Sequence, residues 1–96
     1  MRLLNSDIKI IKTTILKHIE DAKIILFGSR IDNNKRGGDI DLLIQTQKDI
    51  KLKDEIEILA KIEYRGVERK IDLLIDSPYK KRQSIFDTAI KEGVVL

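Results

Sequence analysis

Apolar residues along the chain follow two alternating periods. Ile8, Ile11, Ile15, Leu16 and Ile19 recur at helical spacing, with Lys9, Lys12, Lys17 and Glu20 between them. The pattern predicts an amphipathic helix over residues 6–21, with Ser6 placed to cap its first turn. Lys23-Ile24-Ile25-Leu26-Phe27 is a short run rich in β-branched residues that stops at Gly28, as a buried strand would. Residues 29–38, SRIDNNKRGG, are polar and Gly-rich and read as a loop with room for one helical turn after Ser29. Over residues 39–45 the period becomes two. Ile40, Leu42 and Ile44 then share one face, and Asp39, Asp41 and Leu43 the other.

Helical spacing returns over residues 51–64 with Leu52, Ile56, Leu59 and Ala60, continued by Ile62 or Tyr64, and Gly66 ends it. Residues 67–76 predict a third strand with Ile71, Leu73 and Ile75 on one face, broken by Ser77-Pro78. Ile85, Phe86, Ala89 and Ile90 mark a last helix stopped by Gly93. Val94-Val95-Leu96 then offers a short edge strand. The order αβ(loop)βαβα describes an α/β (α+β) domain in which helices cover a small sheet. The sequence DLLI occurs at 41–44 and again at 72–75, too short to count as a repeat.

Composition narrows this picture. The chain has 96 residues, which fits one domain over 1–96. Hydrophobic residues make up 42% and charged residues 36%, enough apolar material for a core that is almost wholly aliphatic. There is no cysteine and one histidine, which excludes disulfides, thiolate metal sites, a cysteine nucleophile and a histidine cluster for zinc. The start of the chain does not read as a signal peptide, and no apolar run approaches the roughly 20 residues of a membrane span, so a cytoplasmic protein is expected. The net charge of +3 is mild and its signs are well mixed, so nothing points to direct nucleic-acid binding.

The chemistry lies in a few polar residues on the strands. Asp39 and Asp41 are two residues apart on a strand, so they face the same way with Cα atoms roughly 6.5–7 Å apart. They open an otherwise apolar strand, where a buried charge is costly unless something offsets it. A hard cation such as Mg²⁺ does so, because it takes one or two carboxylates together with substrate phosphates. Gly28 lets a phosphate approach the backbone, the Ser29 hydroxyl and following amides can donate to phosphate oxygens, and Arg30 can neutralise phosphate charge. Asp72 in the third strand can bridge a second metal or accept a proton from an attacking hydroxyl.

The segments FGSR at 27–30 and GDIDLLI at 38–44 resemble the signature of the nucleotidyltransferase superfamily of DNA polymerase β. The later KIDLLI at 70–75 and the short chain resemble its minimal nucleotidyltransferase (MNT) branch. The resemblance implies a nucleotidyltransferase fold on a small mixed sheet. Gly28 and Ser29 would contact the triphosphate of ATP, Asp39 and Asp41 would bind magnesium, and Asp72 would supply the third carboxylate. It also implies an antitoxin that transfers AMP from ATP to a tyrosine of a partner protein, a HEPN-domain toxin, and binds that partner. Two positions depart from the family: Ile31-Asp32-Asn33 stands where relatives often carry a small residue, Arg and Gly, and Gly38 stands where Ser commonly precedes the first metal aspartate.

Three activities therefore compete. The complete aspartate set favours transfer to a protein hydroxyl. The departures and the small size favour a module that neutralises its partner by binding alone. Transfer to a small molecule ranks third, because relatives that do this carry an extra substrate domain. A homo-oligomer is compatible with any of them. His18 reads as a packing or surface residue, Tyr64 and Tyr79 as packing residues, Asp76 as a cap or turn residue, and Lys80-Lys81-Arg82 as a solvated turn.

Overall fold

A computed structural model of the chain describes residues 5–27 and 39–96. Its elements are α1 (Asn5–His18), β1 (Lys23–Phe27), β2 (Ile40–Gln45), α2 (Leu52–Tyr64), β3 (Ile71–Asp76), α3 (Ser84–Glu92) and β4 (Val94–Val95). The strands form one mixed sheet in the order β3-β2-β1-β4. β1 runs antiparallel to β2 and to β4, whereas β2 and β3 are parallel. A parallel pair cannot be joined by a tight hairpin, and α2 supplies the crossover. No helix among the described residues is long and apolar enough to cross a membrane.

Strand alternation divides the core in two. Ile24, Leu26, Ile40, Leu42, Ile44, Ile71 and Ile75 face α1 and α2, where Ile11, Ile15, Ile58 and Ile62 meet them. Ile25, Phe27 and Leu43 face the other way and are covered by Phe86 and Ala89 of α3. Each such side chain, fully buried, stabilises the fold by about 1.5–3 kcal/mol before entropy is counted. α3 rests mainly on β1. On that face the β3 end is covered less, leaving Leu74 half-buried and Asp72 exposed.

The structure corrects four local expectations. α1 ends at His18 rather than 21, because the chain turns off the helix to deliver Asp21 to the loop after β2. There the Asp21 carboxylate accepts hydrogen bonds from the Thr46 hydroxyl and, at 2.8 Å, from the Gln47 N–H. Since α1 includes Asn5, Ser6 lies inside the helix instead of capping it. The third strand begins at Ile71, not 67. Gly66 takes φ +118°, open to glycine, while its N–H bonds Glu63 O at 3.0 Å and the Val67 N–H bonds Ile62 O at 3.3 Å. These two bonds form a Schellman cap, and Val67 is buried as that cap's apolar contact.

The fourth correction concerns the face of α2. Ile58 and Ile62 point into the core, while Leu52, Ile56, Ala60 and Tyr64 are exposed. Burial of Ile58 and Ile62 carries this rotation, and contacts with α1 accompany it: Arg65 donates to Thr14 Oγ1 at 2.9 Å, and Glu57 meets His18 Nε2 at 3.3 Å. Gly93 also has a positional reason. A Cβ there would fall on the carbonyl oxygens of Ala89 and Leu26 and on the Ile25 side chain, where the chain leaves α3 and joins the sheet beside β1.

Candidate active site

The parallel ladder pairs Asp41 with Asp72. Adjacent strands lie about 4.8 Å apart, so these two carboxylates are neighbours across the sheet. Both belong to the face that carries Leu43 and Leu74, the side on which α3 packs. Carried back two residues, the same alternation puts Asp39 on the Asp41 side, and the ladder begins just after it, where the Ile40 N–H bonds Lys70 O at 2.9 Å. Asp39 and Asp41 are half-buried, and Asp72 is exposed. Phe27, the last residue of β1, pairs with Asp41, so β1 ends at this same end of the sheet. Gly28, Ser29 and Arg30, the residues expected at the triphosphate, lie outside the described residues.

These donors are oxygens only, which fits a hard divalent cation. Among the described residues no group of three or more His, Cys, Asp or Glu side chains gathers closely enough to hold a metal ion. Asp39, Asp41 and Asp72 thus do not form a closed protein cage, and an ion held there would need further ligands from substrate phosphates and water, as Mg²⁺ commonly takes. Asp39 and Asp41 are the residues that could hold it, with Asp72 alongside.

The register of Asp41 on Asp72 is the site feature that reading along the chain did not supply. Its signal was present in the repeated DLLI, which is not a repeat of a unit but two strands paired residue for residue. Asp41, Leu42, Leu43 and Ile44 lie against Asp72, Leu73, Leu74 and Ile75.

The far end of the same strands is polar but differently occupied. A hollow of about 780 Å³ opens there, lined by Asp21, Lys23, Gln45, Thr46, Asp76 and Arg82 among others. Gln45 and Asp76 stand four residues, about 13 Å, beyond Asp41 and Asp72, so the hollow is separate from the paired carboxylates. Asp76 accepts from Gln45 Nε2 at 3.2 Å and from Arg82 Nη1 at 3.0 Å. Arg82 also bonds Asp87 at 2.6 Å and lies over the Phe86 ring at 5.9 Å. Asp87 first, and then Asp76, hold the Arg82 guanidinium above its usual range. Arg82 lies in the exposed turn expected at Lys80-Lys81-Arg82 and in addition tethers the start of α3. Tyr64 and Tyr79, expected to pack, are exposed. His18 is half-buried between α1 and α2, with Nδ1 3.2 Å from Thr14 O.

Asp21 links the helix end to the β2 loop and gives a pH-dependent contribution. The Gln47 N–H, and next the Thr46 hydroxyl, hold its carboxyl below the usual carboxylate range. A depressed folded pKa stabilises the fold above the unfolded value of about 3.9, and that contribution fades as pH falls through the lowered folded value. Thermal melts between neutral pH and strong acid should therefore show a shallower acid decline for Asp21→Ala than for the native chain. Parallel declines would remove Asp21 from the acid response.

A family model described as Polymerase beta, Nucleotidyltransferase matches residues 9–96. The match spans every strand and all but the start of α1. A comparison with curated proteins gives no match.

Proposed function

Because the chain belongs to the polymerase beta nucleotidyltransferase family, we propose that it transfers AMP from Mg-ATP to a hydroxyl of a partner protein, as the antitoxin of a HEPN/MNT toxin–antitoxin pair. The observation that carries the reading is the pairing of Asp41 with Asp72 at the sheet end where β1 finishes. Asp39 and Asp41 would hold magnesium, which would neutralise triphosphate charge and orient the α-phosphate for in-line attack. Asp72 would either help hold a second ion or take the proton of the acceptor. The acceptor hydroxyl oxygen bonds to the α-phosphorus, the bond from that phosphorus to the bridging oxygen breaks, and pyrophosphate departs. The hydroxyl proton passes to a carboxylate or to water. Gly28, Ser29 and Arg30 would hold the phosphates. A tyrosine of the toxin is the acceptor that the family resemblance favours.

A second reading, neutralisation by binding without transfer, is favoured by Ile31-Asp32-Asn33 in the segment expected to hold the nucleotide. Incubation with magnesium, a HEPN partner and ATP labelled at the α-phosphate separates the two. Transfer predicts label on the partner from α-labelled ATP and none from γ-labelled ATP. A stable, unlabelled complex that still silences the partner would replace transfer with occlusion.

A further inference from the structure

Among the described residues, α2 turns a second apolar row away from the core. Leu52, Ile56, Ala60 and Tyr64 succeed each other at four-residue intervals and form one ridge on the helix surface. Leu52, Ile56 and Tyr64 are 69%, 58% and 93% exposed. Among the described residues the fold does not use this ridge, since α2 packs through Ile58 and Ile62. Two parallel ridges border it: Lys53, Glu57 and Lys61 on one side, and Glu55, Leu59 and Glu63 on the other. One border is net basic and the other acidic.

We propose that this ridge is the contact through which two copies of the chain associate about a two-fold axis. An axis along the ridge lays Ile56 on Ile56 and Tyr64 on Tyr64, and it exchanges left for right. Each acidic border then faces the basic border of the other copy, with Glu63 against Lys61 and Glu55 against Lys53. An axis across the ridge would set acid against acid and base against base. The surface is thus self-complementary in the first orientation, as an isologous contact requires, and self-repelling in the second. Glu55 and Lys61 already meet Lys80 at 3.7 Å and Glu57 at 3.2 Å within the chain, so the new links extend existing pairs into a network. A 13-residue helix is about 20 Å long. One side of it buries less than the roughly 800 Å² per partner of a standard stable interface, so association is weak and concentration-dependent. The inference stands apart from the transfer reading and uses neither nucleotide nor metal.

Sedimentation velocity on the 96-residue chain, from low micromolar to near-millimolar concentration, tests it. The mass is expected to climb from 11.1 kDa toward twice that value. Ile56→Glu is expected to stay at the monomer mass with an unchanged circular dichroism spectrum, because Ile56 contributes nothing to the core. Glu63→Lys and Lys61→Glu should each weaken association severalfold, and the double reversal should restore it. A chain that stays monomeric throughout, with the ridge left to a different protein, overturns the proposal. So does an Ile56→Glu chain that associates like the native one, or a double reversal that fails to rescue.

Discussion

Replacing Asp41 with Asn is expected to lower nucleotidyl transfer by about three orders of magnitude while the chain stays folded. The substitution keeps the size and planarity of the side chain and removes its charge. Asp41 sits between the fully buried Ile40 and Leu42, and both of those point to the opposite face, so packing is untouched. On the proposed reading the site would lose a fully charged oxygen that would hold the metal ion. Metal stabilisation of a phosphoryl-type transition state is worth several kcal/mol, and about 4 kcal/mol corresponds to a thousandfold at roughly 1.4 kcal/mol per factor of ten. The readout is transfer of α-label to the partner, alongside a circular dichroism control. Undiminished transfer would take Asp41 out of the site.

Asp72→Asn separates the two roles open to the third carboxylate. If Asp72 accepts the proton, the variant should lose rate that added magnesium does not rescue. If Asp72 helps hold an ion, raised magnesium should recover part of the rate.

The aspartates were legible because a carboxylate inside an apolar strand is anomalous, whatever its neighbours. Their pairing was not, because register depends on how β2 and β3 slide past one another, and the repeated DLLI is compatible with that pairing without dictating it. The exposed row on α2 has a similar origin. Leu52, Ile56, Ile58, Leu59, Ala60 and Ile62 wrap around much of the helix, so periodicity alone allows more than one buried face. Packing of Ile58 and Ile62 with Ile11, Ile15 and the sheet selects among them, and the partners of Arg65 and Glu57, Thr14 and His18, likewise lie more than thirty positions away. The early end of α1 follows the same rule, since the partner of Asp21 is Thr46. Val67 was misplaced for a different reason: an apolar residue after a glycine is equally compatible with a strand start and with the contact that closes a helix cap. Period and punctuation could be read locally, whereas rotation, register and capping partners come from distant parts of the chain.

Phe86→Ala is expected to be the most damaging single truncation on the α3 side of the sheet. Phe86 is 1% exposed and belongs to a buried cluster with Ile25, Phe27, Leu43 and Ala89. Emptying such a site costs about 3–5 kcal/mol when the surroundings relax only in part. A domain of this size has roughly 5–15 kcal/mol of net stability, so the loss is a large share of it. α3 has nine residues, too few to stay helical without tertiary packing. Its docking also carries the Arg82 contact over the ring and, through Gly93, the entry into β4. Thermal unfolding should show a drop of about 12–40 °C, from 4–8 °C per kcal/mol for a domain this small. A drop of a few degrees would mean that α3 does not dock through Phe86. Activity should fall with it, because the cluster packs against Phe27, whose partner across the sheet is Asp41. Loosening α3 would therefore slacken the strand end on which the paired carboxylates depend.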